Sequence, residues 1–186
     1  MRLKALPIVI ETDELRRLGF QSLDRLVAAC EYRRSPLVRK ALHALKYKRS
    51  VALIPYLVML MEEARSVCVF DGQTALTAVP MYWMRRFSRG FNQAEKLGRS
   101  VGERCNIPFV SLLRKVRSTG SQVGRGRGER VKAVHNAFKV RKGVEVPLHV
   151  IIVDDICTTG GTLDACAAAL KKAGVRRVEG LVVARD

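Results

Sequence analysis

Residues 149–173 read HVIIVDDICTTGGTLDACAAALKKA, and this stretch decides the fold. It begins with a β-branched run, residues 150–153, which is typical of a strand covered on both faces. Two carboxylates, Asp154 and Asp155, follow at the carboxyl end of that strand, where open parallel sheets bind their ligands. Residues 158–162, TTGGT, then lead into a run of helix formers. The stretch therefore predicts a buried strand, a polar loop and a helix in direct succession.

The chemistry of this loop suits a phosphorylated sugar. Threonine hydroxyls and glycine backbone N–H groups at the positive end of a helix form a cradle for a phosphate. The two acids suit sugar hydroxyls or a metal. The alternative is an ordinary strand, turn and helix with exposed acids, but the pattern is more specific than a lone glycine motif. Cys157 lies inside the loop without a base that the sequence can show, so a small packing residue is favoured over a nucleophile.

Residues 150–162, VIIVDDICTTGGT, closely resemble the phosphoribosyl diphosphate (PRPP) signature of type I phosphoribosyltransferases. The resemblance implies that Asp154 and Asp155 hold the ribose hydroxyls and form the catalytic pair in an active enzyme. It also implies that the loop wraps the 5'-phosphate and that Mg²⁺ arrives with PRPP, without direct protein ligands. The PRPP-binding residues implied in this way are Asp154, Asp155, Ile156, Cys157, Thr158, Thr159, Gly160, Gly161 and Thr162.

Length and composition favour one globular domain, since the chain has 186 residues and 48% of them are apolar. The longest apolar run, residues 51–61, is too short to span a bilayer, so no membrane insertion is expected. The N-terminal residues do not read as a targeting signal, which predicts a cytoplasmic protein. The five cysteines are widely spaced without a CxxC pair, which predicts reduced thiols and no zinc site.

The basic charge is concentrated in the middle of the chain. The formal net charge is +17, and residues 81–142 hold 16 Lys or Arg against 3 Asp or Glu. Such a concentration indicates a polyanionic partner, either a diphosphate substrate or a nucleic acid, although a solvated basic surface is the alternative. Within it, residues 81–93 alternate arginines with aromatics, which suits a diphosphate or unpaired bases. Residues 115–130 could close over substrate or bind nucleic acid. The possible DNA-binding residues are Arg86, Arg89, Arg125, Arg127 and Arg130.

Two further stretches resemble the ComF branch of the phosphoribosyltransferase superfamily: RGFNQA at residues 89–94 and LVRKALHALKYKR at residues 37–49. The resemblance covers about residues 26–185. It implies a role in competence and in handling incoming single-stranded DNA, with competence proteins as possible partners. Many ComF proteins carry a four-cysteine zinc finger, which this sequence lacks. The resemblance also implies pyrophosphate contacts for Met81, Tyr82 and Arg85.

The sequence as a whole predicts an α/β protein with the type I phosphoribosyltransferase fold, a mainly parallel twisted sheet flanked by helices. Residues 31–186 are assigned to this domain, and residues 1–30 to an N-terminal segment of open role. Helical spacing of Leu23, Leu26 and Val27 favours a helix there, and residues 67–70 are a strand candidate.

Two functions remain open at this point. One is a PRPP-binding protein that handles single-stranded DNA. The other is an active Mg²⁺-dependent enzyme that transfers ribose 5-phosphate from PRPP to a nitrogen acceptor in nucleotide metabolism. Hypoxanthine-guanine enzymes carry an aspartate where this chain has Thr158, so salvage of purine bases is disfavoured.

Overall fold

The structure is a computed structural model that describes residues 7–68, 70, 72–81, 90–116 and 137–186. Its described strands are β1 Ile8–Glu11, β2 Arg25–Glu31, β3 Thr74–Ala78, β4 Leu113–Lys115, β5 Phe138–Val140, β6 His149–Cys157 and β7 Arg177–Arg185. Five of them form one sheet in the order β1-β2-β7-β6-β3, while β4 and β5 form a separate antiparallel pair. The four strands β2, β7, β6 and β3 are mutually parallel, and β1 lies antiparallel to β2. Their carboxyl ends therefore meet at one edge of the sheet.

Helices cover both faces of the sheet. They are α1 Thr12–Arg17, α2 Pro36–Tyr47, α3 Ile54–Arg65, α4 Gln93–Cys105 and α5 Gly161–Lys172. The apolar faces of α2, α3 and α4 share one core with Ile151 and Val153 of β6. The other core contains α1, α5 and the β4–β5 pair, together with Val150 and Ile152. Successive β6 side chains thus enter opposite cores, as the alternation of a strand requires, and the predicted mainly parallel α/β sheet is confirmed.

Two local predictions are wrong. Residues 23–27 do not form a helix, because Leu26 and Val27 belong to β2. Five consecutive residues of β2 are buried, which is typical of a strand covered on both faces. Val67 and Cys68 lie in a turn after α3 and not in a strand.

The N-terminal part of the described chain is built into the sheet. β1 and β2 pair over four residues and extend the sheet beyond β7. The division into residues 1–30 and 31–186 stays a prediction. No described helix has the length and apolar character needed to cross a bilayer.

Candidate functional site

The acid pair lies near the carboxyl end of β6, beside the start of α5. β6 continues past both acids to Cys157, and Asp154 is in register with Val182 of β7. The two carboxylates separate to opposite faces of the sheet. Asp155 contacts α2 on one face. Asp154 is close enough to Cys166 of α5 to help raise the pKa of that thiol, although burial is the larger cause.

Asp155 is fixed by a lysine that the sequence analysis did not single out. The Lys46 ammonium of α2 lies 2.9 Å from Asp155 Oδ2, and the two side chains are only 21% and 10% exposed. A carboxylate with so little contact with water needs a compensating charge. Lys46 therefore holds Asp155 in one orientation and ties α2 to the candidate site.

Asp154 has no such cation as its hydrogen-bond partner within the described part of the chain. Its Oδ1 accepts the backbone N–H of Asp155 at 2.9 Å. Burial and then the negative charge of Asp155 raise the pKa of Asp154 to about 8, against the opposing effects of that N–H group and Lys46. The Asp154 carboxyl is therefore mostly protonated at pH 7, so it can donate a hydrogen bond as well as accept one.

The phosphate cradle predicted from the sequence lies at the N-terminus of α5. Thr158, Thr159 and Thr162 are exposed, and Gly160 is the residue that caps the helix. No described side chain bonds to the N–H groups of the first helical turn. A helix of twelve residues with an open first turn carries partial positive charge there. The loop and helix end together can bind an anion such as a phosphate.

Gly160 is required by its backbone and by its neighbour. Its φ is +75°, in the left-handed region that favours glycine. A Cβ at this position would lie 1.9 Å from Cζ of Phe20, whose ring is buried against the loop. The segment that carries Phe20 thus packs directly on the cradle.

Asp164 in the first turn of α5 anchors the same segment. Its buried carboxylate accepts the backbone N–H groups of Gln21, Ser22 and Leu23 at 2.7 to 3.0 Å. These charge-assisted bonds join residues separated by more than 140 positions in the chain. Part of the N-terminal segment therefore supports the candidate site, a role that the sequence left open.

Cys157 is buried and Ile156 is half-buried, and their contacts with PRPP stay predictions. Burial raises the pKa of the Cys157 thiol to about 11, and the nearby Arg185 guanidinium only partly offsets this. The thiol is therefore mostly protonated at pH 7, which favours a packing residue over a nucleophile. Ile156 is half-buried against the core beneath α2, α3 and α4.

The predicted pyrophosphate loop is described only at its edges. Met81 is half-buried after β3 and lines a cavity of about 50 Å³ together with Asn92 and Arg141. Asn92 occupies the N-cap position of α4, but its side chain donates to the Val79 carbonyl at 3.0 Å and does not cap the helix. The remaining predicted contacts lie outside the described residues: Tyr82, Arg85, Arg86, Arg89, Arg125, Arg127 and Arg130.

No group of three metal-binding side chains occurs in the described ranges. An adjacent acid pair is nevertheless a suitable oxygen donor for Mg²⁺, which is usually held by one or two carboxylates together with substrate phosphates. Asp154 pairs with no lysine in the described part of the chain, and it would offer an oxygen to such an ion once the ion displaces its proton.

A parallel sheet with an acid pair and an open threonine–glycine loop at its carboxyl edge defines a phosphoribosyltransferase-type domain. The family model described as the phosphoribosyl transferase domain matches residues 88–186. The chain belongs to the phosphoribosyl transferase domain family, in its ComF branch.

The branch is indicated by curated relatives. Competence protein F of Haemophilus influenzae is 31% identical over 134 residues, which cover 70% of this chain and 58% of that protein. DNA utilization protein YhgH of Salmonella typhimurium is 29% identical over 160 residues, 83% of this chain and 69% of the relative. Competence protein ComFC of Streptococcus pneumoniae is 32% identical over 101 residues, 54% of this chain and 43% of the relative.

Proposed function

We propose that this protein binds Mg-PRPP at the carboxyl edge of its sheet and acts in the cytoplasmic handling of single-stranded DNA. The observation that carries the PRPP part is the placement of Asp154 near a helix N-terminus that has no side-chain cap and follows a threonine–glycine loop. A phosphorylated ribose requires an acid for its hydroxyls and a cradle for its phosphate, and three residues separate Asp154 from this loop in the chain.

Different residues of the site bind different parts of PRPP in this proposal. The N–H groups and hydroxyls of residues 158–162 bind the 5'-phosphate. Asp154 bonds the ribose hydroxyls, and its burial makes each of those bonds stronger than it would be in water. Lys46 pairs with Asp155 at 2.9 Å and holds it in one orientation. Mg²⁺ bound together with PRPP would neutralise charge on the diphosphate, and Asp154 would offer it an oxygen ligand.

The DNA part of the proposal draws on the relatives and on charge. Two relatives are named for competence and one for DNA utilization. The chain carries a formal net charge of +17, which favours binding of a polyanion. Because the matched stretch spans 43% to 69% of these relatives, their whole-protein roles and any competence-protein partners are part of the proposal.

A second candidate function is transfer of the phosphoribosyl group to a nitrogen acceptor. The observation that favours it is the carboxyl of Asp154, whose raised pKa lets it hold or release a proton near neutral pH. In such a reaction the bond between ribose C1 and the diphosphate oxygen breaks, diphosphate leaves, and the acceptor nitrogen bonds to C1 and loses a proton. The protein contributes by orienting the reactants and by stabilising charge.

Calorimetry with Mg-PRPP tests the first function. The wild-type protein should bind it, and Asp154→Asn should reduce the affinity at least tenfold without loss of the fold. Asp13→Asn, an exposed acid on α1, is the matched control and should bind like the wild type. Equal affinity of wild type and Asp154→Asn would overturn the assignment. Release of diphosphate in the presence of bases or nucleotides would establish turnover.

A further inference from the structure

The segment that carries α2 has an unusual charge distribution. Residues 32–61 contain no Asp or Glu, whereas residues 33–49 contain seven Lys or Arg. Most of these cations are exposed in the structure. This positive surface is fully described, in contrast to the arginine-rich loops on which the sequence analysis placed possible DNA contacts.

One ridge of α2 combines cations with aromatic rings. The helix buries Val38, Ala41, Leu42 and Leu45, so its opposite face is open to solvent. Positions three and four apart lie on one face of a helix, which places Lys40, His43 and Tyr47 in a row that we name the α2 ridge. The His43 and Tyr47 rings are in contact, with centroids 4.6 Å apart, and Tyr47 is 65% exposed. The two rings therefore do not pack in the hydrophobic core.

Three cations on or beside the α2 ridge have no acid partner in the part of the chain that the structure describes. Arg33 and Arg34 bind Asp186 and Glu31 respectively. By contrast, Arg39, Lys40 and Lys48 form no ion pair with any residue that the structure describes, and all three are exposed. Uncompensated cations next to an open aromatic ring are the combination that binds the backbone and bases of a single strand.

The α2 ridge leads to the candidate PRPP site. Lys46 directly precedes Tyr47 and pairs with Asp155 at 2.9 Å. On the other side of the helix end, the Arg49 guanidinium lies about 3.9 Å from where a side chain at Gly90 would begin. Gly90 follows the predicted pyrophosphate loop in the chain. A nucleic acid strand bound along α2 would thus come close to the candidate PRPP site.

We propose that the solvent face of α2 is a docking surface for single-stranded nucleic acid, with Arg39, Lys40 and Lys48 on phosphates and Tyr47 stacked on a base. The inference rests on the proposed function in DNA handling, and it adds the surface and the residues. A single strand is favoured over a duplex because only unpaired bases can stack on an exposed ring. The His43 ring contacts Tyr47 at a tilt of 40° and limits the orientations of the Tyr47 ring.

Fluorescence anisotropy with a labelled single-stranded oligonucleotide and its duplex, titrated over a range of salt, tests the proposal. Replacing Arg39 and Lys40 with glutamine should lower the magnitude of the log–log salt slope by about 1.4, since each phosphate neutralised on a single strand contributes about 0.7. Lys172 and Arg176 lie at the far end of α5 and are exposed, so their double glutamine variant is a control with equal charge loss. It should bind like the wild type.

Tyr47 tests the stacking step separately. Tyr47→Ala should weaken binding of the single strand by about fivefold or more and reduce the preference over duplex. Tyr47→Phe keeps the ring and should retain both. If the α2 variants bind like the control variant, or if the wild type binds both forms equally, the docking surface is wrong. Calorimetry with Mg-PRPP on the same variants separates this failure from failure of the PRPP site, because the α2 variants should bind PRPP normally.

Discussion

Replacing Asp154 or its neighbour Asp155 with asparagine should change the stability of the fold in opposite directions. Asp154→Asn removes a carboxyl whose pKa is raised from 3.8 to about 8, mainly by burial. Asp155→Asn removes the partner of Lys46, which lies 2.9 Å away. We therefore expect Asp154→Asn to stabilise the fold at alkaline pH and Asp155→Asn to destabilise it, although both are nearly isosteric.

The sign and size follow from linkage. Between the ordinary pKa and the raised one, the native state binds more protons at Asp154 than the unfolded state does, so wild-type stability falls as the pH rises through this range. The full shift corresponds to an upper limit of roughly 6 kcal/mol. Asp154 keeps some contact with solvent, which reduces the expected gain of Asp154→Asn above pH 8 to about 1–3 kcal/mol. Loss of the Lys46 partner in Asp155→Asn should cost about 1–3 kcal/mol.

Urea unfolding of the wild type and both variants at pH 5, 7 and 9 measures these differences. The advantage of Asp154→Asn should be several-fold smaller at pH 5 than at pH 9, because most of the range from 3.8 to about 8, over which the wild type loses stability, lies above pH 5. At the same time Asp154→Asn should lose Mg-PRPP binding, so stability and function change in opposite directions. If Asp154→Asn were destabilised to the same extent at all three pH values, this reasoning would be refuted.

Further expectations concern the supports of the site. Lys46→Met should weaken Mg-PRPP binding and lower the free energy of unfolding by about 1–3 kcal/mol, and Lys46→Arg should restore part of both, as measured by calorimetry and urea unfolding. Gly160→Ala should lower stability by about 2 kcal/mol or more because its Cβ would overlap the Phe20 ring and its φ is positive, which thermal melting would detect. Asp164→Ala should cost about 2–4 kcal/mol because three backbone N–H groups lose their acceptor. Cys157→Ala should leave Mg-PRPP affinity unchanged, since burial keeps the thiol protonated.

Each of these expectations would be contradicted by a specific outcome. Equal binding by Lys46→Met and the wild type would remove Lys46 from the site. Unchanged melting temperatures for Gly160→Ala or Asp164→Ala would mean that the N-terminal segment does not support the loop. Loss of PRPP binding in Cys157→Ala would give this thiol a role in the reaction.

Local signals in the sequence were sufficient for the centre of the fold. The run before Asp154 is β-branched and the residues after Gly161 favour a helix, so β6 and α5 could be predicted from neighbouring residues alone. β2 could not, because its leucine and alanine residues lack a strand signal and their spacing fits a helix. Its burial between two helical layers decided its conformation.

The side-chain contacts that support the site could not be predicted from the sequence, for a different reason. Lys46 and Asp155 meet only because α2 packs on the sheet beside β6, and nothing near either residue signals the pair. Asp164 likewise reads as an ordinary acid in the first turn of a helix, yet it binds the segment that follows α1. The loop residues were found because they are contiguous, whereas their supports come from distant parts of the chain.

The strand order has a consequence for synthesis of the protein. β7 follows every other described strand in the chain, yet it lies in the sheet between β2 and β6. Its nine residues pair with β2 on one side and with β6 on the other. While a ribosome is still adding residues 177–185, the half with β1 and β2 and the half with β3 and β6 have no strand to join them. We therefore expect the domain to fold as one unit only after β7 has left the ribosome, with the earlier segments dependent on chaperones until then.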